Sequence, residues 1–338
     1  MKLISIICPI YNEEKYISEC INSILQSNYS KDNLEVIFID GMSTDRTRDI
    51  IDEYLRLYPF IRLLDNPERA TPFALNIGVK ASNGDVIFRI DAHAKYPIDY
   101  FKVLVCYLEE LNAENVGGIC KTLPANNTLK CIAISEAMSC PFAMGNSYFR
   151  IGSKKIMRVD TVPFGCFNKS LFDKIGHFDE ELIRNQDDEF NGRIKKNGGE
   201  IYLIPEVIID YYARDKTSKV SKMYFQYGMF KPLVNKKLGS PATLRQFFPI
   251  VFLFGLVIGA LLSIYSHYFL IPYSFVICLY LLLSMSFAIK IAKQKKYWKL
   301  IAILPVIFFT IHISYGYGYL VGIYKIIMHK KFSVEINR

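Results

Sequence analysis

Two short stretches hold the residue types that could do chemistry. The first is Arg89-Ile90-Asp91-Ala92-His93, at the end of an apolar run. Asp91 and His93 are one residue apart, so on an extended chain both point the same way. A carboxylate and an imidazole so placed could share a divalent ion that also holds a diphosphate. A plain His–Asp hydrogen bond at a loop start fits the same pattern. The second stretch is Gln186-Asp187-Asp188-Glu189. Transfer of a group to a hydroxyl needs one carboxylate to take the proton as the bond forms. Neighbouring residues diverge around a helix, so these acids cannot all face one cleft. Solvated acids on an ordinary helix account for them equally well. The other histidines sit in a turn read at Gly176-His177 or far along the chain at His267, His312 and His329, which disfavours a three-histidine zinc site.

Positioning these groups requires a frame, and the first hundred residues supply one. Residues 3–10, 34–39, 61–64 and 85–90 are short, branched and apolar, as buried parallel strands are. Residues 14–26, 45–58 and 71–81 carry apolar residues at helical spacing, with Pro72 suited to a first turn. This alternation predicts an α/β domain with an open sheet, whose ligands bind beyond the strands' C-terminal ends. At two of those ends lie Pro9-Ile10-Tyr11-Asn12-Glu13-Glu14 and Asp40-Gly41-Met42-Ser43-Thr44-Asp45. Asp40 could accept from a base or ribose, and Gly41 would let the chain turn. Farther on, 116–120 and 200–204 read as strands, 182–196 as a helix, and 142–149 and 162–168 as weaker strands. This second half is expected to complete the sheet and form the acceptor cleft.

Composition changes sharply after Arg245. The chain has 51% apolar residues and a mean hydropathy of +0.18, and most of the excess lies in the last part. The first 246 residues have 32 basic and 31 acidic side chains, whereas the last 92 have nine basic and one acidic, Glu335. The pI near 9.0 therefore belongs to the tail, and no basic face for nucleic acid follows from it. Residues 247–265, about 28 Å of helix, and 270–289 are each long enough to cross a bilayer. A third apolar stretch, 300–327, contains Pro305, Gly316 and Gly318. Lys290, Lys293, Lys295, Lys296 and Lys299 separate the last two, and Lys231, Lys236, Lys237 and Arg245 precede the first. The positive-inside bias puts both clusters on the cytoplasmic side. A third full span would leave Lys325, Lys330 and Lys331 outside, against that bias; three spans, over 247–265, 270–289 and 300–327, are nonetheless expected, the alternative being a bent or partly re-entrant last segment. The eight cysteines have neither disulfide-framework nor zinc spacing. The N-terminal apolar run ends at Pro9 without a cleavage site and reads as a strand.

The ordered set Pro9, Asn12-Glu13, Asp40-Gly41-Met42-Ser43-Thr44-Asp45, Asn76 with Gly78, Gly84-Asp85, Asp91-Ala92-His93, Gly176-His177-Phe178-Asp179-Glu180 and Gln186-Asp187-Asp188-Glu189-Phe190 with Arg193 resembles the family 2 glycosyltransferases of the GT-A fold. Within that family it is most similar to the membrane-bound succinoglycan and exopolysaccharide branch. The resemblance implies a cytoplasmic GT-A domain over residues 1–235, a basic juxtamembrane segment over 236–246, a membrane anchor over 247–328 and a basic tail over 329–338. It implies that Pro9, Tyr11, Asn12, Glu13, Asp40, Arg69 and Asp91 bind the nucleotide-sugar, and that Asp91 and His93 hold Mn²⁺ or Mg²⁺. Asp187 becomes the catalytic base of an inverting transfer, supported by Gln186, Asp188 and Arg193. Two positions depart from the family pattern. Gln186 replaces a glutamate, and His93 replaces a second acid, a change that suits Mn²⁺ better than Mg²⁺. The QxxRW-like element is reduced to Gln226-Tyr227-Gly228-Met229-Phe230-Lys231, without its arginine–tryptophan.

The implied activity is transfer of a sugar, from a UDP-sugar by preference, to a lipid-linked saccharide or growing polysaccharide. The setting is the cell's inner, cytoplasmic membrane, with other polysaccharide-assembly proteins as candidate partners and no nucleic acid. Two other readings remain: a polyprenyl-phosphate glycosyltransferase, whose anionic acceptor needs no strong base, and a non-catalytic nucleotide-sugar-binding scaffold. Three spans without an interior acidic relay disfavour a transporter.

Overall fold

The computed structural model describes residues 1–241 and 243–333. Ala242 of the expected juxtamembrane segment and residues 334–338 of the expected basic tail lie outside the described residues. The chain runs through β1 (Ile4–Ile10), α1 (Ile17–Leu25), β2 (Leu34–Asp40), α2 (Thr47–Leu57), β3 (Ile61–Asp65), α3 (Thr71–Ala81) and β4 (Val86–Arg89). Next come β5 (Ala94–Lys95), α4 (Tyr100–Glu110), β6 (Asn115–Leu123), α5 (Leu129–Ala137), α6 (Pro141–Met144) and α7 (Tyr148–Ile151). Then follow β7 (Met157–Arg158), β8 (Cys166–Asn168), α8 (Ser170–Ile175), α9 (Gln186–Lys196) and β9 (Ile201–Tyr212). Four long helices end the described chain: α10 (Thr217–Leu238), α11 (Phe248–Tyr265), α12 (Leu270–Lys295) and α13 (Leu300–Ile327).

These elements form two compact units, one of Met1–Lys121 with Gly152–Tyr211, the other of Thr122–Ile151 with Tyr212–Phe332. In the first unit the strands lie in the order β3-β2-β1-β4-β8-β6-β9-β5, with β7 beside β9. The first four are parallel, and β8 joins β4 antiparallel. Every residue of β1 and β2 is buried, as strands covered on both faces must be. The register pairs Ile10 with Asp40 and Ile7 with Arg89, so the chain leaves β1, β2 and β4 at one sheet edge. Helix α3 packs so closely on β1 that a Cβ at Gly78 would collide with Ile7 Cγ2.

Three sequence expectations shift. Helix α1 begins at Ile17 rather than near Glu14, because the residues between are drawn into a loop bonded to the start of α2. Residues 142–149 are not a strand. Pro141 starts one short helix, Gly145 at φ +59° ends it, and a second follows. Of 162–168 only Cys166–Asn168 is strand, because Phe164 adopts a left-handed φ of +51° that cannot continue a ladder.

Among the described residues the second unit has three helices long and apolar enough to cross a membrane, over Leu244–Tyr265, His267–Lys295 and Leu300–Ile327. The last is one unbroken helix despite Pro305, which lies in its second turn. Its glycines are points of close approach. A Cβ at Gly316 would come within 2.6 Å of the Pro249 carbonyl oxygen, and one at Gly318 would collide with that of Phe225.

Candidate active site

At the shared sheet edge the loops after β1 and β2 are laced together. Asn12 has a left-handed φ of +54°, its amide donates to Ser43 Oγ at 2.9 Å, and its Oδ1 accepts from Thr44 N at 2.8 Å. The Glu13 amide donates to Thr47 Oγ1 at 2.7 Å, and Asp45 accepts from Thr47 N at 3.0 Å just before α2. Asp40 is fully buried, and its carboxylate accepts from Ser43 Oγ at 2.5 Å and from Arg48 Nη1 at 2.7 Å. The left-handed residue of this turn is Met42, at φ +62°, rather than Gly41. Pro9 is buried within β1, and Tyr11 is half-buried just beyond it. Exposed Arg69 occupies a turn tied to the end of β2, with its amide donating to Asn66 O and the Asn66 amide to Asp40 O.

The residues after β4 form the centre. Arg89 Nη2 lies 3.0 Å from Asp91 Oδ1, and both side chains are largely buried. The guanidinium also sits over the Phe164 ring, 5.4 Å from its centroid. His93 is buried, with Nε2 3.9 Å from Asp91 Oδ2 and Nδ1 3.4 Å from Glu13 Oε1. Its ring packs against Tyr211. Tyr96 Oη holds the turn by donating to Asp91 O and accepting from Asp91 N. Asp91 thus gives one oxygen to Arg89 and turns the other toward His93. Glu13, expected to line the nucleotide pocket, is buried beside the far nitrogen of that imidazole.

Helix α9 brings the second acidic stretch to the same edge. Asn185 takes a left-handed φ of +62°, and Gln186, Asp187, Asp188 and Glu189 open the helix. Glu189 is held by Arg193, Oε1 to Nε at 2.7 Å and Oε2 to Nη2 at 3.0 Å. Arg193 also donates to the carbonyls of Ile175, Gly176 and His177, stapling α9 to the preceding loop. Asn76 clamps that loop from α3, donating to Phe178 O and Glu180 Oε1 and accepting from Phe178 N. Burial pushes the Asp187 carboxyl up; Arg89 pulls it down, Asp188 and Asp91 push it up, and the result is a raised pKa. For Arg89 burial acts downward, but Asp91 and then Asp187 outweigh it and hold the guanidinium charged. Arg89 therefore lies in the field of both acidic stretches.

Sequence reasoning passed over Arg89, Tyr96, Phe164 and Tyr211. Arg89 had a signal, since it stands two residues before Asp91 at the end of a strand. The aromatic residues had none, because strand order and not spacing brings them in. Among the described residues no group of three or more His, Cys, Asp or Glu side chains could hold a metal ion. Asp91 and His93 can offer two ligands, and 3.9 Å between Oδ2 and Nε2 is a separation one ion can bridge. Mg²⁺ and Mn²⁺ sites often use one or two protein ligands, with substrate phosphates and water completing the shell.

The sequence model of glycosyl transferase family 2 matches residues 5–174. A Methanococcus voltae protein, dolichyl N-acetyl-alpha-D-glucosaminyl phosphate 3-beta-D-2,3-diacetamido-2,3-dideoxy-beta-D-glucuronosyltransferase, is 31% identical over 96% of this chain and 98% of its own. The succinoglycan biosynthesis protein ExoA of Rhizobium meliloti is 28% identical over 79% of this chain and 80% of its own. Among solved structures, the mannosyltransferase PcManGT of Pyrobaculum calidifontis, in complex with GDP-Man and Mn²⁺, superposes with a TM-score of 0.56 at 16% identity. It covers 93% of this chain and 87% of its own. TarS 1-349 of S. aureus with UDP-GlcNAc reaches 0.53 at 16% identity over 100% and 95%. The chain belongs to glycosyl transferase family 2: it is a glycosyltransferase with a GT-A fold, followed by three helices long and apolar enough to cross a membrane.

Proposed function

We propose that the protein is an inverting, cation-dependent glycosyltransferase that moves a sugar from a nucleotide-diphosphate sugar to a hydroxyl of a lipid-linked saccharide or growing polysaccharide. One observation carries this reading: a raised, desolvated carboxylate at Asp187 lies in the field of the same buried arginine that fixes Asp91 beside His93. Asp91 Oδ2 and His93 Nε2 would hold Mn²⁺ or Mg²⁺, and a cation there neutralises charge on the leaving diphosphate. Glu13 beside Nδ1 favours the proton on that nitrogen, which would turn the Nε2 lone pair to the cation. Asp187 accepts the acceptor hydroxyl's proton as the oxygen attacks the anomeric carbon and the nucleotide diphosphate departs from the opposite face. Glu189 is committed to Arg193 and Gln186 is neutral, so Asp187 is the better base of this segment. Pro9, Tyr11, Asn12 and Arg69 lie at the sheet edge where a nucleotide of this fold would bind.

The solved relatives were captured with UDP-GlcNAc or with GDP-Man and Mn²⁺, and the Methanococcus voltae relative is named for a dolichyl phosphate-linked sugar acceptor. These support a UDP-sugar or related donor and a lipid-linked saccharide acceptor here. The lysines flanking α11 and α12 support a multi-pass protein of the cytoplasmic membrane with its catalytic domain on the cytoplasmic side. The test is incubation of membranes containing the full chain with UDP-, GDP- and other nucleotide-sugars and lipid-linked acceptors, with mass spectrometry of the products. Asp187→Asn is expected to abolish transfer while keeping donor binding. Transfer that survives the substitution, or a product built on polyprenyl phosphate itself, overturns the reading.

A further inference from the structure

Behind Asp187, helix α9 is held by a buried polar chain that the transfer chemistry does not use. Asn191 stands one helical turn after Asp187, so the two side chains share a face. Asn191 is 2% exposed; its Oδ1 accepts from Asn115 Nδ2 at 2.8 Å, and its Nδ2 donates to Thr161 Oγ1 at 2.8 Å. Asn115 opens β6 and is fully buried, and Thr161 is buried in the loop between β7 and β8. Strand, helix and loop therefore meet at one side chain. The loop end of this chain leads back to Arg89. Farther along that loop, Gly165 O accepts from the Arg89 amide at 3.0 Å. Phe164 carries its ring under the Arg89 guanidinium, and its carbonyl accepts from Tyr100 Oη at 2.8 Å. Strand β6 backs the loop closely: a Cβ at Gly117 would lie 2.8 Å from Val162 Cβ, and one at Gly165 2.6 Å from Asn115 Oδ1. The loop that seats Arg89 is thus the one to which Asn191 ties the helix of Asp187.

Stability does not account for this chain. Asn115 Oδ1 is buried with no hydrogen-bond partner among the described residues. A buried polar atom left unpaired costs stability, whereas apolar side chains of the same shape in all three places would be close to neutral. Apolar contacts already hold α9 down, through Phe190 against Phe167, Phe172 and Phe178. Such contacts are non-directional and leave the helix free to turn or slide in small steps. Two hydrogen bonds at Asn191, one from β6 and one to the loop, demand a fixed geometry.

We propose that Asn191, with Asn115 and Thr161, is a positioning residue of the transfer: it sets the rotation of α9, and so the direction in which Asp187 meets the acceptor hydroxyl. The inference rests on Asp187 being the base of the proposed function, and deepens that reading. A base works only within hydrogen-bond reach and at the right angle to the attacking oxygen. A misplacement of about 1 Å can cost on the order of 100-fold in rate. Donor contacts after β1, β2 and β4 are made by other elements and should not feel it.

The experiment measures kcat, donor KM, UDP affinity and melting temperature of the full chain in detergent, with the donor and acceptor pair that gives most product in the screen above. The triple variant Asn115→Leu, Thr161→Val, Asn191→Leu replaces the chain with apolar groups of similar shape. It should melt at the parent's temperature or above and keep UDP affinity and donor KM, while kcat falls about 10-fold or more. Thr161→Val alone should lower kcat in the same way, and Thr161→Ser, which keeps the hydroxyl, should restore it. This smaller pair decides the matter if the triple variant does not fold. Parental kcat in the folded triple variant or in Thr161→Val overturns the proposal, as does a loss that Thr161→Ser shares or that UDP affinity follows. Asp187→Asn is measured beside them. Transfer that survives in it removes the base and this proposal together, whereas its loss there with parental kcat in the other variants removes the proposal alone.

Discussion

Arg89 and Asp91 form a largely buried ion pair, Nη2 to Oδ1 at 3.0 Å, at the point where the two acidic stretches meet. The carboxylates in the field of this arginine should respond oppositely to neutralisation. Asp91→Ala leaves a buried guanidinium without its nearest counter-charge and should lower stability by about 3 kcal/mol. Asp187 has a folded-state pKa raised above its unfolded value, so its contribution to stability is present at low pH and is lost as pH rises through the folded pKa. At neutral pH its ionised form is therefore a burden, and Asp187→Asn should unfold at the same temperature as the parent or higher. Thermal unfolding of both variants in one detergent checks the pair.

The same raised pKa fixes the acid limb of activity. A base must be ionised to work, so transfer should fail on acidification at a higher pH than an ordinary aspartate would give. Asp188 is among the groups pushing Asp187 up, and Asp188→Asn should move the limb to lower pH. A pH–rate profile at saturating donor reads this directly. An unshifted limb in the variant removes Asp187 as the titrating base.

Glu13 and His93 should act as one unit. Glu13→Gln keeps the shape but removes the charge beside Nδ1, and Mn²⁺ affinity in the presence of UDP should fall about 10-fold or more. His93→Ala should abolish cation-dependent UDP binding, and the double variant should be no worse than His93→Ala alone. Electron paramagnetic resonance of Mn²⁺ titrations measures these effects without turnover. Additive losses would return Glu13 to a direct nucleotide contact.

Helix packing in the second unit gives a matched pair of glycine substitutions. Gly318→Leu drives a side chain into the Phe225 carbonyl and should cost about 3 kcal/mol or more. A Cβ at Gly255 of α11 meets nothing within 4 Å, and Gly255→Ala should be neutral or slightly stabilising. Melting temperatures in detergent distinguish the two, and equal effects would contradict the close α10–α13 contact.

By itself the sequence determined the parallel strands, the edge where they end, the acidic stretches and the apolar helices. Each of these depends on periodicity or covalent spacing within a short window, such as the unbroken apolar run of β1 or the single residue between Asp91 and His93. A helix ending at Lys196 was legible in the same way, but it starts at Gln186 rather than Leu182, because Asn185 turns left-handed just before it. Tertiary structure decided which groups face one another. Strand order joins Glu13 to His93, 80 positions apart in the numbering, and carries Phe164 under Arg89. It also assigned Glu189 to Arg193 and left Asp187 desolvated, a distinction invisible in three consecutive acids. For the tail, hydropathy measured how long α13 is, but only the close approach of Gly318 to the Phe225 carbonyl shows that it packs on α10. Transfer free energy is summed along a segment, whereas packing depends on which neighbours the fold brings to it.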